Sequence, residues 1–474
     1  MIHNDVDSHL DDHVVAHDAV GRAAPQDGMK HPGRDLTDLG NARRLMRHHG
    51  QDLRYAGHVG TWLIWDGGRW QVDETDEVER RAKRVIDDLY HEVPGLPDRE
   101  RADLLAHAKA SQRGPALREM VRLARSEPGV RIRPDELDAD PWVLNVANGT
   151  VDLQTGTLRP HRREDLLTKL TPVVYDPHAV CPRWLAFLDR VLGGKPELIA
   201  FIQRFVGYTL TGLTREQALL LLHGRGANGK STFLEVLLRL LGDYGVPSDF
   251  ATFLTHQHDR VRNDIAALKG ARMVTAVEAE EGRRLNESLI KQVTGGDTIS
   301  ARYLHQEFFS FQPAFKLFLA TNHLPVITGT DTGIWRRVLL LPFAVTIPDH
   351  EQDKDLKAKL LGELPGILSW AVQGCLEWQG MGLAVPSEVR AATQSYRTDM
   401  DHVGRFLAEC CRSTQGGKVA ARALYERYRM WCEQEGEVPL TQPKLGQRLG
   451  DRGFTSSRTA STRSWNNLAL EPEP

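Results

Sequence analysis

Residues Gly224-Arg225-Gly226-Ala227-Asn228-Gly229-Lys230-Ser231 set three glycines, a lysine and a hydroxyl in the spacing GxxxxGK[ST]. Each residue type answers a need of a bound polyphosphate. Glycines let the backbone close around an oxyanion and accept positive φ. The loop N–H groups and the start of a following helix offer donors and a partial positive charge. Lys230 is spaced to reach β- and γ-phosphates and Ser231 to ligate Mg²⁺, while Thr232 extends the contact set into the helix. The reading is therefore ATP and Mg²⁺ as cofactors, held by residues 224–232. A glycine-rich turn that binds nothing is the alternative, and context decides between them.

Three later positions would complete a hydrolytic site. The apolar run Met273–Val277 leads straight into Glu278, Glu280 and Glu281. Carboxylates at a strand end can hold Mg²⁺, directly or through water, and orient an attacking water. Glu278 and Glu280 are the candidates, with Glu278 the first choice for the metal; a solvated acidic turn is the alternative. The stretch AFKLFLATN ends in Asn322, whose amide can bond the attacking water or the γ-phosphate. Arg336 and Arg337 precede the apolar run VLLLPF. An arginine, Arg336 by preference, can stabilise transition-state charge in a neighbouring subunit and contribute on the order of 10³ to 10⁵ in rate. A local salt bridge is the alternative.

Positioning these groups takes a strand, a loop and a helix in that order. Leu219–Leu222 has the character of a buried strand, and TFLEVLLRLL has helical spacing. Short apolar strands and polar helices then alternate to about 345, which predicts an α/β fold built on a mostly parallel, helix-covered sheet. Residues 182–213 form a helical lead-in and 351–380 are helical again. Between the acidic and Asn strands, NESLIKQVTGGDTISARYLHQEFFSFQP predicts a helix with Lys291, a turn, and a hairpin around LHQE. His305 at its tip, with Arg302 beside it, could touch a DNA backbone; an ordinary structural hairpin stands equally well.

Upstream, Asp66-Gly67-Gly68 between aromatic strands predicts a hairpin, residues 74–127 a polar helical stretch, and WVLNVANGTVDLQTGTLRPH a set of short strands. Residues 1–35 carry Asp and His with few large apolar groups, the composition of a solvated tail. His13 and His17 stand at i, i+4 there, and a metal pair is the less favoured reading.

The whole chain has 474 residues, a net charge of −3 and five cysteines without a CxxC pair. That length asks for two to four domains. The balance excludes a uniformly basic nucleic-acid coat, though not a locally basic channel. The cysteines suggest neither zinc nor a disulfide framework, which fits a reducing cytoplasm. No run reaches membrane-span length and no signal peptide opens the chain. Residues 403–470 hold eleven Lys/Arg against six Asp/Glu, a local balance of +5. An amphipathic helix there, then a helix with Lys444 and Arg448, a turn and two short strands, predicts a winged-helix module that reads DNA. A structural cap with a solvated basic face is the alternative.

The succession of the phosphate loop, VEAEEG, KQVTGGDTISARYL, FKLFLATNHLP and GTDTGIWRRVLLLPF resembles the superfamily 3 helicase module of phage and plasmid DNA primases, shared with satellite-phage and poxvirus primase-helicases. The resemblance spans about 185–350, and NVANGTVDLQTGTLRPHRREDLLTKLTPVVYDP extends it upstream through that family's accessory domain. It implies an AAA+-like core with a helical collar, a hexamer around single-stranded DNA, and 3′ to 5′ translocation driven by ATP. It also implies Lys230 and Ser231 on phosphate and Mg²⁺, Glu278 and Glu280 in the acidic motif, Asn322 as sensor and Arg336 as finger. Lys291, Arg302 and His305 fall in the region of the DNA hairpin.

Only about 180 residues precede the helicase module, without a paired-acid primase motif, so a separate primase or polymerase is expected as partner. The expected divisions are a tail 1–35, an accessory domain 36–181, the ATPase core 182–350, a helical lid 351–400 and the winged-helix-like module 401–474. The function implied is an ATP-dependent replicative helicase acting on single-stranded and forked DNA. An ATP-switched origin-binding initiator shares every motif and is the alternative. A small-molecule P-loop kinase has no need of the Asn strand, the arginines or the basic C-terminal module.

Overall fold

The computed structural model describes residues 35–255, 263–277, 282–302, 308–329, 331–459 and 462–472. Contacts divide the chain into two compact units. The described part of Met1–Gly50 with Asp76–Glu127 makes one, and Gln51–Thr75 with the described part of Pro128–Pro474 the other. The interval 36–181 is thus shared between both units.

The first unit consists of helices Asp38–His49, Glu77–His91, Asp98–Ser111 and Gly114–Ala124. Thr37 caps the first of them by accepting from the Gly40 N–H at 3.0 Å. In the second, Val78, Ala82, Val85, Ile86 and Leu89 form the buried stripe that a 3.6-residue period requires. Asn41 ties this unit internally, donating to Ser111 Oγ at 2.9 Å and accepting from the buried Arg44 guanidinium at 3.2 Å.

The second unit is built on a five-stranded, all-parallel sheet. Its strands, in spatial order, are Val338–Pro342, Leu219–His223, Lys316–Thr321, Met273–Val277 and Gly245–Asp249. Leu220 and Leu222 pack into the core on one face, Leu219 and Leu221 into the core on the other. That alternation is the strand period of two, expressed in a run where every residue is apolar because both faces are covered. One face carries the helices Pro182–Val191, Pro196–Leu210, Lys230–Leu241 and Leu364–Met381; the other carries Glu287–Gly295 and the aromatic side chains of Phe250, Phe253, Trp335 and Tyr396. Helices Pro196–Leu210 and Leu364–Met381 approach closely at glycines: a Cβ on Gly207 would sit 2.1 Å from the Cys375 backbone nitrogen.

The lower ends of the strands are fixed by two buried cations. Arg272 donates to the carbonyls of Leu210 at 2.5 Å and Val143 at 2.8 Å. Lys316 donates to the carbonyls of Thr211, Leu213 and Ala314, and burial pushes its ammonium well below the usual lysine range.

Two small sheets precede the core, and in the first Leu53–Ala56 pairs antiparallel with Thr61–Trp65 and parallel with Arg131–Ile132. Thr61–Trp65 and Trp70–Val72 form the hairpin expected at Asp66-Gly67-Gly68, with Asp66 Oδ1 accepting from the Gly68 and Arg69 N–H groups. Val143–Val146, Gly149–Asp152 and Thr157–Arg159 form a meander. The hairpin expected around LHQE pairs Ile299–Ala301 with Phe309–Phe311.

Helix Ser387–Met400 leads to the C-terminal elements: helix His402–Cys410, strand Cys411–Ala420, helices Ala421–Glu435 and Gln442–Asp451, and strands Ser456–Arg458 and Arg463–Leu470. They enclose a core that includes Phe406, Leu424, Tyr428, Trp431, Leu445, Leu449 and Trp465. The ten-residue strand Cys411–Ala420 was not expected. Its sequence CRSTQGGKVA lacks apolar alternation, and its pairing with Arg463–Leu470 shifts register between Ser413 and Lys418. No described helix is long and apolar enough to cross a membrane.

Candidate functional site

The loop 224–229 leaves strand Leu219–His223 and enters helix Lys230–Leu241. Its shape depends on its small residues. Gly229 has φ +86°, and a Cβ there would meet Val191 Cγ1 at 2.6 Å; at Gly224 a Cβ would meet the Phe343 carbonyl oxygen at 2.2 Å. Ala227 also holds a positive φ, +45°.

Asn228 is buried and uses both ends of its amide, donating to the Phe343 carbonyl at 3.2 Å and accepting from Lys230 at 3.1 Å. Lys230, 6 % exposed, also donates to the Gly224 carbonyl at 2.6 Å and to Asn322 Oδ1 at 3.1 Å. Burial lowers its pKa from the lysine norm. Ser231 is exposed and Thr232 half-exposed at the start of the helix, and Arg225 is exposed on the loop.

Asn322 reaches Lys230 because their strands are neighbours. Leu222 pairs with Ala320 and His223 with Thr321, so the residues after each strand emerge side by side. Met273–Val277 pairs on the far side of the Asn strand, Val277 opposite Ala320. Val277, the residue before the acidic run, therefore lies one strand further along the same edge. Glu278, Glu280 and Glu281 themselves lie outside the described residues, as does His305.

Two cavities open at this edge. One of about 530 Å³ is lined by His223, Arg225, Asn322, His323 and Leu324. Burial lowers the pKa of His223, which faces this space, against the Asn322 backbone bond that raises it and with the Lys230 charge that lowers it further. The other, about 640 Å³, adjoins Ala227, Gly229 and Thr232, with Phe187, Ile347 and Leu356 among its apolar walls. Ile347 is fixed to the loop by its N–H bond to the Ala227 carbonyl, 2.8 Å. Sequence reasoning named no site residue of this second cavity outside residues 224–232, since its other walls come from separate stretches with no motif.

Arg336 and Arg337 precede strand Val338–Pro342, at the opposite end of the sheet from the phosphate loop. Arg336 is exposed and donates to Gln217 Oε1 at 2.5 Å. Arg337 is buried and bonds Thr294 Oγ1 at 3.1 Å, the Gly333 carbonyl at 2.5 Å and Gln217 Oε1 at 3.3 Å. Gln217 was not anticipated, and nothing in its local sequence marks it.

The candidates for DNA contact are dispersed. Lys291 donates to both oxygens of Asp331 at 3.0 Å. Burial would raise the Asp331 carboxyl, but the Lys291 ammonium and the N–H groups of Gly333 and Ile334 hold it below the usual range. Arg302 stacks over Phe308 at 4.9 Å beside the hairpin. Lys444 is exposed on helix Gln442–Asp451. Arg448, one turn on, donates to the Thr328 carbonyl at 2.7 Å and so faces the core sheet's unit.

Three family descriptions match the chain in succession: D5 N terminal like over residues 42–193, a family of unknown function over 222–337, and poxvirus D5 protein-like over 398–468. A protein of Acanthamoeba polyphaga mimivirus named as a candidate helicase is 28 % identical over 333 residues, covering 64 % of this chain and 34 % of that one. A candidate helicase of Frog virus 3 is 25 % identical, covering 66 % of this chain and 41 % of its own. A candidate primase of African swine fever virus is 29 % identical over 210 residues, covering 43 % and 22 %. The chain thus spans well under half the length of these relatives. Among solved structures, the apo structure of the NrS-1 C terminal region superposes with a TM-score of 0.50 at 11 % identity, covering 92 % of this chain and 100 % of that one. That likeness concerns the fold, a mixed α/β architecture with a parallel sheet.

Proposed function

Because the chain belongs to the D5-like primase-helicase family, we propose that it is an ATP-driven DNA motor of replication that works as a ring. The observation that carries this reading is the 3.1 Å bond between Lys230 and Asn322, at the adjoining ends of two parallel strands. It brings the Lys230 ammonium and the Asn322 amide to one small volume, which supports a site for hydrolysis of a terminal phosphate.

In this reading Lys230 and the loop N–H groups hold the β- and γ-phosphates. Asn228 keeps the lysine aimed, and Asn322 orients the attacking water. The donors fit Mg²⁺: the Ser231 hydroxyl stands exposed at the helix start, and carboxylates follow Val277. Bound there, the metal would draw charge from the β- and γ-oxygens. The cavity of about 640 Å³ beside Ala227 and Thr232, lined by Phe187, Ile347 and Leu356 together with charged residues such as Arg190 and Lys357, supports a nucleobase site. The Arg336 guanidinium stands a full strand length from the loop, roughly 15 Å or more for five residues. It is exposed there, which supports a finger that serves the neighbouring subunit's nucleotide. That in turn requires a closed ring, a hexamer by family habit. The C-terminal sequence of helices and antiparallel strands supports a winged-helix reading, and its basic balance supports duplex contact. Forked and single-stranded DNA are the proposed substrates, with 3′ to 5′ movement and a separate primase or polymerase as partner.

The test is strand displacement on 3′-tailed and 5′-tailed forks with and without ATP. Displacement of the 3′-tailed fork alone is expected. Assembly on DNA with ATP but no displacement of either fork would sink the motor and favour the origin-binding initiator.

A further inference from the structure

The segment that carries Arg336 is held from the C-terminal module. Thr328 accepts from Arg448 Nη2 at 2.7 Å. The next carbonyl, Gly329, accepts from the Trp335 indole at 2.7 Å, and Trp335 adjoins Arg336 in sequence. A second tie lies alongside. Arg452, four residues after Arg448 on the same turn-to-turn stripe, bonds the Asp401 carboxylate. Asp401 joins helix Ser387–Met400 to helix His402–Cys410 and caps the latter through the Gly404 N–H at 3.0 Å. Helix Ser387–Met400 is anchored to the same segment: the Tyr396 hydroxyl donates to the Pro325 carbonyl, and its ring meets Trp335 edge-on at 5.1 Å. Between these ties is a cavity of about 220 Å³ whose lining includes Trp335, Asp401, Asp451 and Arg452.

We propose that Arg448 and Arg452 form an internal latch that restrains Thr328 and Gly329 and, through the Trp335 indole, the neighbouring Arg336, and that the phosphates of duplex DNA open it. The inference rests on the DNA-motor reading above. The chemistry is competition for guanidinium donors. Arg448 lies on the helix whose Lys444 end is exposed and Arg452 follows its last turn, while their own donors are engaged by a carbonyl and a carboxylate. A phosphate backbone offers both arginines stronger, charge-assisted acceptors. Asp401 and Asp451 line the latched cleft beside Arg397 and Arg452, so its charges balance, and a phosphate must compete with acceptors already bonded to Arg448 and Arg452. DNA is therefore accepted only as the helix leaves Thr328 and Asp401. The finger segment then loses the Arg448 bond and is held by its remaining ties, among them those to Glu287, Lys291 and Tyr396. Binding duplex and loosening the finger become one equilibrium, and coupling of this kind is reciprocal.

The decisive variant is Asp401→Asn in the full chain, because Asp401 is off the DNA-reading helix and its loss removes no DNA contact. A half-exposed ion pair shifts such an equilibrium by about two- to fivefold. Duplex affinity, read by fluorescence anisotropy, is expected to tighten by that factor. ATP turnover without DNA is expected to rise by the same factor, and the further gain on adding DNA to shrink. Wild-type affinity and wild-type DNA-free turnover in the variant would overturn the latch and leave the motor reading standing. A wild-type chain that neither binds duplex nor hydrolyses ATP would end both. Should Asp401→Asn not fold, Arg452→Gln reads the same latch through DNA-free turnover, which loss of a DNA contact cannot raise; no rise there overturns the proposal.

Discussion

Asn228 shows how little of a phosphate loop is generic. The motif leaves its position unspecified, yet its buried amide links the loop to the Phe343 carbonyl and aims Lys230. Replacing it with Ala leaves a buried carbonyl without its donor and releases the ammonium from one of its three acceptors. We expect Asn228→Ala to lower stability by about 1–3 kcal/mol. It should also lower kcat for ATP hydrolysis on the order of tenfold or more, since misplacement by 1 Å at a reacting centre costs about 10²-fold. Thermal unfolding and steady-state kinetics check both; an unchanged kcat would make Asn228 a purely structural residue. Gly229 is constrained differently. A side chain there suffers both the φ of +86° and a 2.6 Å approach to Val191. Gly229→Ala is expected to cost about 1–3 kcal/mol, as strained backbone and overpacking each do, and to reduce nucleotide binding measured by calorimetry. Full affinity in that variant would mean the loop relaxes without loss.

Among the elements, helix Glu77–His91 carries a pH signature. Glu77 accepts from Arg80 at 2.8 Å, Arg81 at 3.1 Å and Arg84 at 2.6 Å. The Arg80 bond, with the other two arginines, pulls its carboxyl down to about 2 against partial burial. A depressed folded pKa contributes stability that is present above the unfolded value of 4.5 and is lost as pH falls toward 2. Helix content followed by circular dichroism through that window should fall in the wild type and fall less steeply in Glu77→Gln; identical curves would remove the pair network as the cause. This charge ladder was not expected from the sequence, although Arg80 and Arg81 stand at i+3 and i+4 from Glu77. The strand, loop and helix order around Lys230 was readable there, and so was the turn at Asp66-Gly67-Gly68, because each depends on near neighbours. The strand order was not. Lys230 and Asn322 meet across 92 positions only because strand Lys316–Thr321 pairs with Leu219–His223, and crossovers leave no local mark. Strand Cys411–Ala420 was missed for a related reason: its polar residues are ordered by a partner about fifty positions away. The walls of the larger cavity escaped notice because neither Phe187 nor Leu356 looks unlike an ordinary core residue.

For the whole molecule, the decisive geometry is the placement of Arg336 and the phosphate loop at opposite ends of one sheet. In the proposed reading a finger so placed serves not its own loop but a neighbour's, so each complete site would combine the loop of one subunit with the arginine of the next. That is a heterologous contact, and a heterologous contact that closes makes a ring. The consequence can be tested by mixing two inactive variants. A Lys230→Ala subunit lacks the loop cation but keeps its finger. An Arg336→Ala subunit lacks the finger but keeps its loop. Where the second presents its loop to the first, the shared site is complete in every part. At equal proportions and random assembly, one half times one half, or about one quarter, of the sites are complete. ATP turnover should therefore pass through a maximum near equal mixing, at up to about a quarter of the wild-type rate per subunit. Nucleotide binding by the Arg336→Ala protein alone should stay close to wild type, because its loop is intact. A mixing series that never rises above the two parents would place Arg336 outside its neighbour's site, and the ring would lose the argument that requires it.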